Sequence, residues 1–154
     1  MRVLIPSAHT PAWRGGEIEF IDPADDQAYW RWWRQIWAQA EGVIVVEHDI
    51  TPSAEALEDI EGCGKDWCAQ PYPYLRGGTH YGLGCVKFTA EIMRATPDLW
   101  DRVGRMSDRT HPRRHWCRLD AWARSLLEQA GYRRCDHGIR VGHPAGVGPS
   151  HGCC

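Results

Sequence analysis

The spacing of apolar positions changes several times along the chain, and each change marks an element. Val3-Leu4-Ile5 is a short apolar run closed by Pro6 and Ser7, the pattern of a buried first strand. After a loop with Pro11 and Gly15-Gly16, Glu17 to Ile21 alternates at period two and stops at Asp22-Pro23, which predicts a second strand. From Asp25 onward, Tyr29, Trp33, Ile36, Trp37 and Ala40 recur at helical spacing. Asp25 and Asp26 suit the N-terminus of that helix, and Gly42 lies past its end. Val43-Ile44-Val45-Val46 is wholly apolar and β-branched, as in a central strand covered on both faces. Strand, strand, helix, strand in this order predicts an α/β protein, a compact three-layer sheet with flanking helices.

The second half is less regular. Ser53 caps a predicted helix over residues 54–61. Residues 62–84 carry Gly, Pro and Cys interleaved with Trp67, Tyr72, Tyr74, His80 and Tyr81, and read as a functional loop region. Cys85 to Phe88 predicts a strand, Thr89 to Arg94 a short helix, and residues 98–115 a polar, basic, irregular stretch. Trp116 to Ala130 predicts a long helix stopped by Gly131, and Tyr132 to Val141 one or two edge strands. The organisation is therefore one domain over residues 1–143 and a Gly/Pro/Cys-containing tail over 144–154.

Composition narrows the function classes. A length of 154 residues leaves room for one core, within the ~100–150 residues of a common domain. A net charge of −2 removes the basic footprint of a bulk nucleic-acid binder. No run approaches the ~20 apolar residues of a membrane span, and the first residues are too short for a signal-peptide core, so the expected location is cytoplasmic. Seven Cys without a secretion signal point to reduced thiols or metal ligands. Nine Trp mean a large apolar payload, a ligand surface, or both. On the first helix Trp33 and Trp37 share a face, which leaves Trp30 and Trp32 as anchors for a partner or a second copy.

The chemistry starts at Glu47-His48-Asp49, directly after the buried strand. In open α/β sheets ligands bind beyond the carboxyl ends of strands. Two acids two residues apart there suit Mg²⁺ or Mn²⁺, which take one or two protein carboxylates and complete their shell from substrate phosphates. Val43 to Asp49 resembles the strand and acidic metal motif of glycosyltransferases with the GT-A fold, with Glu in place of the usual first Asp. Arg118-Leu119-Asp120, opening a helix that ends in Gly131-Tyr132, resembles the second acidic motif of the inverting members. Gly138 to His143 resembles their closing strand with a late histidine.

The resemblance implies a metal-dependent, inverting transfer of a sugar from a nucleotide-diphosphate donor to an acceptor hydroxyl. In it Glu47, Asp49 and His143 hold Mn²⁺ (or Mg²⁺), with His137 and His151 as competitors for the histidine role, and Asp120 is the general base. Pro6, Ser7, Asp22 and His48 fall on the donor side. Trp67, His80, Tyr81, Gly82, Gly84 and Trp116 fall on the acceptor side, where the acceptor is a glycan, a protein or a small molecule. No Gly-rich dinucleotide fingerprint or P-loop occurs, which argues against NAD or ATP chemistry.

Two rivals stand beside this reading. One is a sugar-nucleotide binder of the same fold without catalysis. The other is a small zinc protein, structural or in contact with nucleic acid. Its candidate ligands are Cys63 and Cys68, His111 and His115, and Cys117 and Cys135.

Overall fold

The computed structural model describes residues 1–73, 78–110 and 116–143; for residues 107–110, 116 and 117 it describes the backbone alone. The chain runs β1 (Arg2–Ser7), β2 (Glu17–Phe20), α1 (Ala28–Gln39), β3 (Val43–Val46), α2 (Ala54–Gly62), β4 (Trp67–Ala69), β5 (Tyr72–Pro73) and β6 (Thr79–His80). It continues through β7 (Cys85–Phe88), α3 (Ala90–Ala95), α4 (Leu99–Thr110), α5 (Trp116–Gln129) and β8 (Cys135–Asp136). Six strands form one mixed sheet in the order β2-β1-β3-β7-β4-β8, and β5 and β6 make a separate small ribbon. β7 is antiparallel to both neighbours, while β1, β2, β3, β4 and β8 all run the same way. The carboxyl ends of β1, β2, β3 and β4 therefore share one edge of the sheet, and the chain enters β7 from that same edge.

The β3 sequence explains the layering. Val43 and Val45 pack on one face with α1, α4 and α5; Ile44 and Val46 pack on the other with Ala56 and Ile60 of α2. This is the alternation that period-two side chains impose on a strand buried on both sides. The first face is dense with aromatics. Phe88 of β7 lies flat against Trp67 (5.6 Å between centroids) and edge-on to Trp33 and Trp37 (5.7 and 5.0 Å). Trp100 of α4 stacks on Trp33 at 5.0 Å.

Three expectations change here. Residues 98–115 are not irregular as far as they are described, because Leu99, Trp100, Val103 and Met106 form a helical stripe that α4 lays against the core. That helix covers the side of α1 thought to be open. Trp30 donates its indole N–H to Trp100 O (2.7 Å), and Trp32, 5% exposed, donates to Glu19 (2.6 Å). Of the two tryptophans assigned to a partner surface, Trp32 is thus spent inside the fold, and Trp30 is half-buried against α4. Finally, the region 62–84 contains an interior strand: β4 is buried throughout, and Trp67, expected on a sugar platform, is a core residue at 2% exposure. At three residues, β4 is too short to show a period. No helix among the described residues is long and apolar enough to cross a membrane, and the tail 144–154 lies outside them.

Removing the Trp33 ring leaves a cavity bounded by Tyr29, Trp32, Phe88 and Trp100. Trp33→Ala should lose about 3–5 kcal/mol of unfolding free energy in urea denaturation, as large-to-small aromatic substitutions in cores do. Phe20→Ser, at a position 75% exposed on the edge strand, should stay within ~0.5 kcal/mol of the parent.

Candidate functional site

The chain turns sharply after β3. Glu47 N–H donates to Gly84 O (2.8 Å), and Ile50 N–H closes the turn on Glu47 O (2.9 Å). Glu47 Oε1 accepts the Tyr29 hydroxyl from α1 at 2.6 Å. Burial, then the charge of Asp49, outweigh that bond; with Asp120 adding to them, the Glu47 carboxyl is pushed up from 4.5 to about 8. Asp49 Oδ2 lies 3.2 Å from His143 Nε2. The cause of that long-range meeting is a two-way backbone bridge between Thr51 and Gly142, with N–H to O distances of 2.8 and 2.9 Å.

Tyr72 is the hub. Its ring stacks on His143 (5.9 Å, 20° between planes) and stands edge-on to His80 (5.3 Å). Burial and then the charges of Glu47, Asp120 and Asp49 hold its phenol well above the ordinary range, so it stays protonated. Gly82 and Gly84 make its position possible. A Cβ at Gly82 would lie 2.5 Å from Tyr72 Oη and 2.8 Å from both Asp120 Oδ2 and His80 Nε2; one at Gly84 would lie 2.8 Å from Tyr72 Cε1. These glycines admit a side chain of the protein itself, where the sequence suggested close approach of a ligand.

Asp120, in the first turns of α5, is 3.1 Å from His80 Nε2 and accepts the Ala121 N–H at 2.6 Å. Both side chains open on a groove of about 330 Å³ bounded also by Tyr81, Ala121 and Arg124. Arg134 supports its wall: the guanidinium pairs with Asp136, donates to Tyr81 O and lies over the rings of Trp67 and Tyr81.

Of the other sequence-derived candidates, Pro6 and Ser7 end β1 in buried positions, and Ser7 Oγ is taken by His9 O. Asp22 is exposed and holds the Ala24 N–H (2.9 Å) in a turn. His48 is half-buried and edge-on to His9 (5.9 Å); burial lowers its pKa, with Asp49 opposing and His9 and His143 reinforcing. The Trp116 side chain, Tyr74 and His151 lie outside the described residues. His137 sits elsewhere, on Asp59. Sequence reasoning named Tyr72 only as one ring of a platform and gave Tyr29 and His9 no site role; nothing local marks them, because they reach the site from α1, β5 and the segment after β1.

The donor set fits a divalent cation in part. Asp49 and His143 present an oxygen and a nitrogen side by side, and the charge of Asp49, which after burial is the second cause of the proton kept on Glu47, is a repulsion a cation relieves. Glu47, however, is turned toward Tyr29, and among the described residues Glu47, Asp49 and His143 do not bring three ligand atoms within 4.8 Å of one another.

Two measurements probe this arrangement. Because the folded pKa of Glu47 exceeds the unfolded one, its contribution to stability is full below about 4.5 and is lost as pH rises through about 8. Glu47→Gln keeps an acceptor for Tyr29 without the titration. Its thermal stability relative to the metal-free parent should therefore rise steadily across that interval, and a flat difference would contradict the assignment. Gly82→Ala should cost about 1–3 kcal/mol by overpacking, and Tyr72→Phe, which removes the nearest atom, should return part of that loss in the double variant.

No protein-family model matches the chain, and no curated protein does. A solved structure similar to it is the crystal structure of a glycosyltransferase involved in the glycosylation of the major capsid of PBCV-1. It shares 11% identity at a TM-score of 0.47, over 90% of this chain and 82% of that one.

Proposed function

We propose that the chain is an inverting glycosyltransferase that moves a sugar from a nucleoside-diphosphate donor to an acceptor hydroxyl. The observation that carries this reading is the gathering of three carboxylates, Glu47, Asp49 and Asp120, around Tyr72 at the carboxyl edge of the sheet, with Asp120 opening on a groove. The acceptor lies in that groove, and Asp120 takes its hydroxyl proton as the oxygen attacks the anomeric carbon. The bond from that carbon to the diphosphate breaks, and the diphosphate leaves with the electron pair. His80, bonded to Asp120, fixes the carboxylate for this task.

On the donor side stand His48 and the exposed Asp22, at the ends of β3 and β2, beside Pro6 and Ser7. Asp49 and His143 would hold Mn²⁺ (or Mg²⁺), with Glu47 adjoining, and the cation supplies charge neutralisation for the leaving diphosphate. Tyr72 keeps His143 and His80 in place by ring contact.

Thermal shift with UDP-, GDP- and TDP-sugars, each with and without Mn²⁺, tests the binding half. The parent should show a Mn²⁺-dependent shift that Asp49→Ala loses; no shift with any of them ends the proposal. Release of nucleoside diphosphate tests the chemical half. Asp120→Asn should keep the shift and lose turnover by about 10²–10⁴-fold, the usual contribution of a general base. Binding without turnover in the parent would favour the non-catalytic sugar-nucleotide binder.

A further inference from the structure

A second cluster lies away from the acidic site, on the α2 face of the sheet. The Cys63 and Cys135 sulfurs and a His137 ring nitrogen fall within 4.8 Å of one another, the one such triple among the described residues. They come from three elements: Cys63 caps the C-terminus of α2, Cys135 begins β8, and His137 follows β8. Cys68 of β4 lies outside that 4.8 Å triple but beside it: it is the register partner of Cys135 in the parallel β4–β8 pair, is fully buried, donates its thiol to Ile60 O (3.8 Å), and its sulfur contacts that of Cys63. Only the Cys63–Cys68 spacing is visible in the sequence; the sheet register adds Cys135, and His137 arrives through its N–H bond to Ala69 O (3.0 Å).

We infer that Cys63, Cys68, Cys135 and His137 form a structural zinc site of the Cys₃His type. Three features beyond the cluster support it. His137 is 11% exposed, and its Nδ1 is bonded to Asp59 at 2.5 Å, while Nε2 is buried and faces the Cys63 sulfur. A carboxylate on one imidazole nitrogen with the other left for metal is the usual outer arrangement of a zinc-bound histidine. Asp59 is itself held by Gln70 Nε2 (2.8 Å).

The Cys63-Gly64-Lys65 turn points the Lys65 backbone N–H at the Cys63 sulfur. A backbone N–H on the sulfur is the kind of outer contact that orients a metal-bound ligand.

Lys87, 2% exposed, has no carboxylate partner among the described residues. It donates to Glu61 O (3.4 Å) and Cys63 O at the end of α2. Three thiolates around Zn²⁺ leave a net single negative charge, and the buried ammonium beside them balances it. On binding, three thiol protons pass to solvent as three Zn–S bonds form, and no electron is transferred. The metal ties the end of α2 to the short edge strand β8, which pairs with β4 over two residues.

The test uses the full chain, purified under reducing conditions. Elemental analysis should find zinc in equal molar amount. Exchange for Co²⁺ should give the visible bands of a tetrahedral site with thiolate charge transfer. Cys63→Ser, Cys135→Ser and His137→Gln should each lose the bound metal, and Asp59→Asn should weaken it by about 10–100-fold. Glu47→Gln, His111→Gln, His115→Gln and Cys117→Ser should leave it unchanged, which separates this site from the acidic one and from the remaining sequence candidates.

Should the cysteine variants fail to fold, alkylation of the parent mapped by mass spectrometry decides: added zinc should protect Cys63 and Cys135 together, the two partly exposed thiols. The inference fails if the folded, reduced chain takes up neither zinc nor Co²⁺. It also fails if metal is retained without protection of these two thiols, or if Cys63 and Cys135 are found oxidised to one another.

Discussion

Phe88 is wedged among three tryptophans, and the rest of the molecule is built outward from that contact. Trp33 and Trp37 hold α1 to the sheet through it, and Trp67 joins β4 to β7 by stacking on it. Such rings each bury a large apolar area, with edge-to-face or offset geometry adding to the burial. A short sheet of mostly three- and four-residue strands gains from them what long ladders would supply elsewhere. With Phe88 fixed, the register of β7 between β3 and β4 is fixed, because a one-residue slip would turn the ring to the α2 face.

That register reaches the acidic edge directly. β7 begins at Cys85, so Gly82 and Gly84 are held where Gly84 O receives Glu47 N–H and where Tyr72 fits across the bare backbone. The consequence is electrostatic. Three carboxylates are gathered around one phenol in a partly water-excluded setting, and the least costly response is a proton kept on Glu47 into the neutral range. Burial is the larger cause of that retained proton, and the neighbouring carboxylates Asp49 and Asp120 add to it. The site suits a cation or an incoming positive charge.

The legible part of the fold was the part written in contiguous patterns. β1, β2, β3, β7, α1, α2 and α5 each carry a period or an apolar run long enough to register. α4 was missed because its stripe of Leu99, Trp100, Val103 and Met106 is diluted by arginine and aspartate, so composition outweighed spacing. β4 was missed because three residues have no period. Trp30 and Trp32 looked like anchors because they lie off the face shared by Trp33 and Trp37; α4 meets Trp30 and β2 meets Trp32. Among site residues, the Glu47-His48-Asp49 run is local and legible. Tyr72 is made central by two glycines ten and twelve residues downstream. His143 reaches Asp49 only through a bridge between residues 51 and 142, and Cys135 reaches Cys68 only through strand register. No one-dimensional pattern encodes such meetings.

The central claim is that the acidic edge, and not the sulfur cluster, receives the catalytic cation and the donor. Anomalous diffraction from crystals of the full chain grown with Mn²⁺ and a nucleoside diphosphate tests it most directly. The account predicts a manganese peak between Asp49 and His143, with the diphosphate on its open side along the ends of β1 and β3. A manganese peak confined to Cys63, Cys135 and His137, or a diphosphate bound away from the strand ends, would contradict it.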